Sequence, residues 1–401
     1  MFDALFTTTT EYKKLSHALS GKGACALFGL PASGRAQVYA ALCRQLDKPL
    51  CIVTPGEAEA TRFAADLNTL GIPAAVFPAR DYVLRPIEGT AREYEYRRLA
   101  VLGELVGGRL RAVAVPAEAL TQFTTPKEDF CANTRTLHAG DTLLRDDLLA
   151  ALFGAGYTRR AQVDGPGQFS VRGDIVDIFA PDQKMPVRME FWGDEIDTLH
   201  TFDLTTQRRE DAIDKFYLSP AREVLFGKPA DAAEQLRAFL AKQRGKKKTA
   251  MADCMAADLD LLDGGAVPVN MDKYLAVRYP HPATVLDYFD DPILVAEEPA
   301  SIREADRATA YRRGEELKSL ILDGVLCAGL DNLYADPSYL WSKTGHYRTI
   351  CAENFARSMP DQPLKDIINA PAHTLPAWNG EVAGLLEDLK PLCDAGYTVT
   401  L

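Results

Sequence analysis

The chain has 401 residues, 47% hydrophobic and 25% charged, a composition that excludes a wholly disordered protein. Asp and Glu outnumber Lys and Arg by 56 to 45, and the net charge of -11 argues against a general polyanion binder, because nucleic-acid phosphates would be repelled. The first residues lack the basic segment and apolar run of a signal peptide, and no stretch approaches the ~18 uncharged apolar residues of a membrane span.

The eight cysteines give no sign of a disulfide framework or a metal site. None forms a C-x-x-C pair, and none lies beside a histidine at ligand spacing. This usage is typical of a reducing compartment. We therefore predict buried free thiols, no structural metal and a cytoplasmic location.

The first third of the chain alternates between short apolar runs and helical patterns. Uniformly apolar runs predict strands that are buried on both faces, and the intervening helices predict a parallel sheet. We expect helices on both faces of this sheet. The strands are expected at 24–29, 50–53, 74–77 and 112–115, and the helices at 35–46, 57–70 and 94–105.

The pattern changes near residue 125. Apolar and polar residues alternate in Gln168–Phe179 and in Pro186–Trp192, and a turn cluster separates the two segments. This alternation predicts an antiparallel meander inside an inserted α+β domain. Helices are then expected at 230–242, 251–262 and 380–389, and the apolar run Ile293–Ala296 indicates a return to the first sheet.

A basic run, Lys246–Lys248, follows the predicted helix 230–242. We interpret it as solvated charge past a helix C-terminus, where cations complement the helix dipole. A contact with DNA is the alternative.

Gly29–Ala36 has the spacing of a Walker A loop, G-x-x-x-x-G-K-[ST], between a strand and a helix. Gly29 and Gly34 are in place, but Arg35 replaces the lysine and Ala36 replaces the Mg²⁺-binding hydroxyl. A planar guanidinium is not equivalent to the compact lysine charge, and alanine cannot ligate a metal. Two such losses would weaken nucleotide binding about 10²- to 10⁴-fold.

The predicted strand Ile293–Ala296 ends as a Walker B strand would, in an acidic pair, Glu297 and Glu298. Glu297 occupies the usual aspartate position and is one methylene longer. Both halves of a nucleotide site are thus present in outline and altered in chemistry. We predict a nucleotide-binding fold that has lost its nucleotide, with no catalytic residue and no cofactor in this chain.

The most specific pattern lies in the predicted meander. Phe169–Phe179 and Val187–Asp197, followed by Phe202-Asp203 and Gln207-Arg208, resemble the family of the bacterial excision-repair subunit UvrB and the transcription-repair coupling factors (Mfd). The resemblance covers roughly residues 20–345. It implies an α/β fold with a degenerate RecA/helicase-like parallel sheet, helices on both faces, and an inserted α+β domain with an antiparallel sheet.

The multidomain organisation that the resemblance implies has four parts. They are a UvrB-like degenerate helicase half-domain at 1–124, an inserted UvrA-binding domain at 125–218, the remainder of the helicase-like domain at 219–346, and the start of a further small α/β domain at 347–401.

The chain is more similar to the N-terminal UvrB-like module of the coupling factors than to UvrB itself. The loop is degenerate, and the short distance between Phe77 and Glu93 leaves no room for the long DNA-clamping hairpin of UvrB. Residues 395–401 indicate a turn and the opening of a strand, so we expect a fragment of a longer protein. In that family ATP and Mg²⁺ serve motor domains whose motifs do not occur in this sequence.

The resemblance also implies partners. The inserted domain would bind UvrA through Arg172, Arg188 and Trp192, where relatives of this chain commonly have Phe in place of Trp. In the full protein, an ATP-dependent DNA translocase of the bacterial cytosol, RNA polymerase and double-stranded DNA would be further partners, and a C-terminal domain would mask the UvrA surface. The implied role is UvrA recruitment to lesions where RNA polymerase has stalled, in nucleotide excision repair.

The residue types agree with such a surface, because arginine and aromatic side chains are enriched in binding hot spots. Trp192 follows Arg188 by four residues, which places both on one face of a strand. The alternative is that Trp192 is a core residue and that the arginines are solvated or paired with Asp174, Asp177 or Glu190.

Two rival functions remain open at this point. One is an ATP-dependent helicase or excinuclease subunit, against which Arg35, Ala36 and Glu297 argue. The other is a nucleic-acid-binding scaffold that uses the basic run and the helicase-like face.

Overall fold

The computed structural model describes residues 7–87, 92–355, 362–372 and 380–397. The strand opening expected at 398–401 lies outside the described residues. The strands are β1 (Gly23–Phe28), β2 (Leu50–Thr54), β3 (Ala74–Val76), β4 (Ala112–Pro116), β5 (Arg135–His138), β6 (Thr158–Arg159), β7 (Gln168–Arg172), β8 (Ile175–Phe179), β9 (Val187–Trp192), β10 (Glu195–Phe202), β11 (Arg209–Ala212), β12 (Lys215–Leu218), β13 (Ile293–Glu297), β14 (Arg348–Glu353) and β15 (Leu364–Asn369).

Helices connect these strands. The α-helices are α1 (Thr10–Ala18), α2 (Ala32–Leu46), α3 (Glu57–Thr69), α4 (Glu93–Val106), α5 (Ala117–Leu120), α6 (Lys127–Ala132), α7 (Arg145–Gly154), α8 (Pro229–Ala241), α9 (Gly245–Asp263), α10 (Leu275–Arg278), α11 (Pro299–Leu322), α12 (Tyr339–Lys343) and α13 (Val382–Asp394). Short 3₁₀ turns span Met271–Tyr274 and Val285–Tyr288.

Within the described residues, seven strands form a parallel sheet in the order β15-β1-β14-β13-β2-β4-β3. The strands β2, β4 and β13 are buried along their whole length, as their uniformly apolar sequences predict. Strand β1 divides its side chains between two cores, with Leu27 facing α2 and α3 and Phe28 facing α4. The prediction of a parallel sheet covered on both faces is confirmed.

A separate sheet lies in the inserted segment, in the order β11-β10-β9-β8-β7-β6. The pairs from β7 to β11 are antiparallel, and β6 joins β7 in parallel. Helix α7 packs Leu148 and Leu152 against Phe169 and Val176 on one face of this sheet. The predicted antiparallel meander is thus confirmed.

The boundary expected at residue 347 needs correction, because the parallel sheet continues past it. Strand β14 lies between β1 and β13, and β15 pairs with the other side of β1. Residues Arg348–Asn369 therefore contribute to the first sheet instead of opening a separate small domain. The central place of β14 explains this, since its removal would separate β1 from β13.

The basic run is solvated and follows a helix, as predicted, but it also begins the next helix. Lys246–Lys248 are exposed past the end of α8 at Ala241, and they lie in the first turn of α9, which begins at Gly245. The positive charges therefore oppose the helix dipole. The helix has no side-chain cap and no acidic residue in its first turn, so no local signal marks its start.

The cysteines are free thiols, as predicted, but they are not all buried. Cys131 and Cys393 are exposed, and Cys254 is half-buried. In the described part of the chain, no helix is both long and apolar enough to cross a membrane.

A buried network of charges ties the parallel sheet to the end of the inserted segment. Arg98 is fully buried and donates to both carboxylate oxygens of Glu223, at 2.6 and 3.2 Å. Arg80 lies 3.2 Å from the same carboxylate and donates to Asp272 at 2.7 and 3.1 Å. Burial alone would raise the pKa of Asp272, but Arg80 outweighs burial and holds that pKa below its usual value. Charges from distant segments are thus mutually neutralised in the interior.

We predict that Glu223→Ala lowers the free energy of unfolding by about 3–5 kcal/mol, because it leaves buried guanidinium groups without their carboxylate. Urea denaturation followed by circular dichroism measures this loss. The matched control is Asp323→Ala, which breaks an ion pair with Arg85 whose side chains are 43% and 50% exposed, and which should cost at most about 1 kcal/mol. Equal losses in the two variants would contradict the assigned role of Glu223.

Candidate partner-binding face and altered nucleotide loop

The inserted sheet presents its two faces to different surroundings. In β9, Val187 and Met189 point into the core beneath α7. The alternation of a strand places Arg188, Glu190 and Trp192 on the opposite face. Arg188 and Trp192 therefore share a face, as their spacing predicts.

One carboxylate, that of Asp177, accepts hydrogen bonds from both arginines on this face. Asp177 on β8 is fully buried and lies directly opposite Arg188 in the antiparallel register. Arg188 donates from Nε to one carboxylate oxygen at 2.7 Å and from Nη2 to the other at 3.0 Å. Arg172 on β7 donates to the second oxygen at 2.6 Å. One buried negative charge thus fixes two guanidinium groups from the strands on either side of it.

Arg188 is enclosed by more than this carboxylate. Its Nη1 donates to the backbone carbonyl of Gln207 at 3.1 Å, and its guanidinium carbon lies 4.7 Å from the ring centroid of Phe202. Only 9% of the residue is exposed. Arg188 is therefore a buried, bonded residue, and the alternative in which it is solvated is wrong. The Arg172 side chain, in contrast, remains 47% exposed.

Trp192 is 81% exposed at the end of β9. The alternative in which it belongs to the core is therefore wrong. Of the three carboxylates considered as partners of the arginines, Asp177 alone pairs with them. Asp174 lies beside Arg145, and Glu190 pairs with Arg209.

The altered nucleotide loop is shorter than its sequence suggests. Helix α2 begins at Ala32, three residues before the predicted start, so Gly34 and Arg35 lie in its first turn. Gly29 has φ +92°, and a Cβ there would meet the backbone oxygen of Ala370 at 2.8 Å. The segment after β15 therefore packs directly against the loop, and Gly29 is required for that close approach.

Arg35 fills the space between the loop and the end of β13. Its guanidinium lies 2.9 Å from a carboxylate oxygen of Glu297 and 2.9 Å from one of Glu298, and its side chain is 3% exposed. Tyr39, one helical turn later, donates its hydroxyl to the other oxygen of Glu297. Ala36 is fully buried. The altered Walker A and Walker B positions thus contact each other.

A cavity of about 430 Å³ adjoins this ion pair. Glu59, Arg62, Glu298 and Asn354 line it together with Arg35. Its two glutamates offset its two arginines, so the lining offers no net positive charge to phosphates, and Arg35 is already paired with Glu297 and Glu298. Within the described ranges, no group of three or more His, Cys, Asp or Glu side chains is placed to hold a metal ion.

Tyr39 was not singled out from the sequence, although it shares a helix face with Arg35 because the two are four residues apart. Asp177 was named only as one of three possible partners of the arginines, and its place inside an otherwise apolar strand is the signal that distinguishes it. A buried polar position in each pattern was the available signal.

Glu297 predicts a pH dependence of stability. Burial raises the pKa of Glu297 to about 7, although Arg35 and Tyr39 act to lower it. An unfolded glutamate has a pKa of about 4.3. The native state therefore binds more protons between these values, and its stability falls as the pH rises through them. Relative to Glu297→Gln, the parent chain should lose stability as the pH rises from about 4.3 to about 7, as measured by urea denaturation. Parallel stability curves for the two chains would contradict this assignment.

Comparison with known proteins agrees with this arrangement. Residues 136–224, which include β7 to β10, match the UvrB interaction domain family. The chain is 25% identical over 384 residues, 93% of its length, to the transcription-repair-coupling factor of Bacillus subtilis. It is 35% identical over 208 residues, 49% of its length, to that of Myxococcus xanthus, and 34% identical over 257 residues, 62% of its length, to that of Mycobacterium bovis.

The chain spans about a third or less of the length of these curated relatives, 32%, 17% and 20% respectively. Residues 136–224 thus match the UvrB interaction domain family, and the resemblance of the chain to the N-terminal UvrB-like module of the transcription-repair coupling factors is confirmed.

Proposed function

We propose that this chain is a non-catalytic recruitment module that binds UvrA through the exposed part of the sheet face that carries Trp192, in nucleotide excision repair coupled to transcription. The observation that carries the proposal is the exposed Trp192 on the same sheet face as the two arginines that Asp177 fixes, inside the matched UvrB interaction domain. The proposed UvrA-binding residues are Arg172, Arg188 and Trp192.

The energetics of this face favour protein binding. A tryptophan that is 81% exposed leaves apolar surface in water, which a partner can bury, and Trp and Arg dominate binding hot spots. The two arginines and Asp177 together carry one net positive charge, which favours an acidic group on the partner. The pairing with Asp177 fixes the guanidinium groups before binding, so less side-chain entropy is lost.

The three residues would make different contributions. Trp192 offers apolar contact, and the half-exposed Arg172 can donate further hydrogen bonds. Arg188 is 9% exposed and bonded on several sides, so its main contribution is to neutralise Asp177 and hold the face in place.

The parallel sheet is proposed to be a RecA/helicase-like sheet that no longer binds nucleotide. The proposal is supported by the contact between the helix that follows the loop and the acidic end of β13, made by the ion pairs of Arg35 with Glu297 and Glu298. We propose that these ion pairs take the place of phosphates and Mg²⁺. An internal cation that is already neutralised has little to gain from a phosphate.

The remaining proposals concern the whole protein. Residues 125–218 would be the UvrA-binding domain within a helicase-like domain formed by the segments on either side. The parent would be a cytosolic ATP-dependent DNA translocase that contacts RNA polymerase and double-stranded DNA through other domains, and one of those domains would mask the Trp192 face at rest.

The test of UvrA binding uses variants on the exposed part of this face. We predict that Trp192→Ala weakens UvrA binding by about 2 kcal/mol or more, roughly thirtyfold, because it removes a hot-spot aromatic. Trp192→Phe should retain most of the affinity, and Arg172→Ala should weaken binding while the Arg188–Asp177 pair stays intact. Isothermal titration against purified UvrA measures each affinity. Since Trp192 is 81% exposed, its circular dichroism and thermal midpoint should stay unchanged.

The matched control is Lys247→Ala, in the basic run of α9, which should bind UvrA like the parent chain. Arg188→Ala should also weaken binding, but it leaves the buried Asp177 with the half-exposed Arg172 as its remaining cation and should cost up to about 3–5 kcal/mol of stability, so it requires a folding measurement alongside. UvrA binding that is unaffected by both Trp192→Ala and Arg172→Ala would leave the proposed surface without support.

A separate prediction concerns nucleotide. The chain should neither hydrolyse ATP nor bind it with Mg²⁺ at about 1 mM, because Arg35 and Ala36 replace the phosphate- and metal-binding groups. Isothermal titration gives the affinity, and phosphate release gives the hydrolysis rate. A micromolar dissociation constant would show that the ion pair of Arg35 opens to admit nucleotide, contrary to this account.

A further inference from the structure

A second candidate site lies between the inserted domain and the segments around α8 and α9 that follow it. It is a cavity of about 480 Å³, within the range of about 300–1,000 Å³ that is usual for ligand pockets. Three segments line it: the end of α7 with β6 at 153–160, the connection at 222–232, and the segment 265–272 after α9. None of the residues proposed to bind UvrA lies in it.

Arginine dominates the charge of this cavity. Arg159, Arg160 and Arg222 line it, and within the described residues none of their side chains has a carboxylate partner. The other charged groups of the lining are already engaged: Arg92 lies 2.7 Å from Glu95, and Asp272 is bonded to Arg80. Three arginines without a carboxylate partner among the described residues thus line one cavity in a chain whose net charge is -11.

The backbone of Gly156 restricts the position of the Arg222 side chain. Gly156 has φ +82°, and a Cβ on it would lie 2.6 Å from Cγ and 2.9 Å from Cβ of Arg222. The alkyl stem of Arg222 therefore lies directly against a glycine backbone that no other residue could replace without displacing it. This packing limits the freedom of the Arg222 side chain.

The opposite wall is apolar and partly open to solvent. Val267 is 55% exposed and Val269 is 38% exposed, and Phe226 and Met271 lie deeper in the lining. Exposed apolar side chains beside unpaired arginines match a ligand that carries both carboxylates and an apolar group.

We infer that this cavity binds an acidic peptide segment of a partner protein, with two or three carboxylates on the arginines and one apolar side chain against Val267 and Val269. The dimensions favour a short segment over a long polyanion. A strand longer than the cavity would have to continue over the surrounding surface, where a net charge of -11 repels phosphates, whereas a short peptide contacts only the arginines and the apolar wall.

The cavity is independent of the UvrA face. Phe153, at the end of α7, packs edge-on against Phe169 with 5.2 Å between ring centroids, on the core face of the inserted sheet. Trp192 and Asp177 lie on the opposite face of that sheet. The two sites can therefore be tested separately.

The test uses fluorescence anisotropy with the whole chain and a fluorescein-labelled peptide of sequence ELDFEL. An amide peptide of the same shape, QLNFQL, is the ligand control. We expect micromolar binding of the acidic peptide, at least about tenfold weaker binding of the amide peptide, and a similar loss in the triple variant Arg159→Gln, Arg160→Gln, Arg222→Gln. Glutamine keeps most of the stem of Arg222, so the variant should fold, as circular dichroism would verify.

Lys215→Gln is the matched protein control, since Lys215 is exposed in the same domain and does not line the cavity. It should bind the acidic peptide like the parent chain, and the triple variant should still bind UvrA. Peptide binding that is equal in the triple variant and the parent, or absent up to about 1 mM, would overturn the inference. Tighter binding of a 20-nucleotide dT strand than of the peptide, lost in the triple variant, would replace the peptide with nucleic acid. Concentration-dependent dimers in sedimentation that the triple variant loses would make a second copy the occupant.

Discussion

The buried carboxylate of Asp177 is the constraint on which the proposed partner-binding face depends. A carboxylate removed from water is costly unless cations and hydrogen bonds compensate it. Asp177 takes its compensation from Arg188 on one neighbouring strand and Arg172 on the other. The pairing fixes both arginines, and the same strand register leaves Trp192 free at the end of β9. A requirement of folding thus produces an ordered surface with a positive charge and an exposed aromatic ring.

In the altered nucleotide loop, too, a buried charge is compensated by opposite charges. Arg35 is neutralised by Glu297 and Glu298, which lie far from it in the sequence. In a functional nucleotide site, the cation at this position would bind phosphate. The early start of α2 and the close approach of the segment after β15 to Gly29 complete this change. The buried pair of Arg98 and Glu223 connects the sheet to the segment that directly follows the inserted domain.

Local patterns predicted most of the secondary structure but few of the charge pairs. Uniform apolar runs located β2, β4 and β13 to within a residue, because strands buried on both faces need apolar side chains throughout. The start of α9 was missed, since it has neither a cap nor an acidic first turn. The contacts of Arg35 join segments that are far apart in sequence, and no periodicity encodes such a contact.

The exposure of Trp192 was likewise undetermined, because alternation shows that two residues share a face and not which face is covered. Its motif, however, pointed to the correct domain, and the burial of Val187 and Met189 settles the orientation.

The central claim is that the face around Trp192 binds UvrA. Hydrogen–deuterium exchange of the chain with and without UvrA tests it most directly. The account predicts new protection in β7 to β10, with unchanged exchange in α9 and in the loop at Gly29. Unchanged exchange in those strands, with protection in α9 or at the loop, would contradict it.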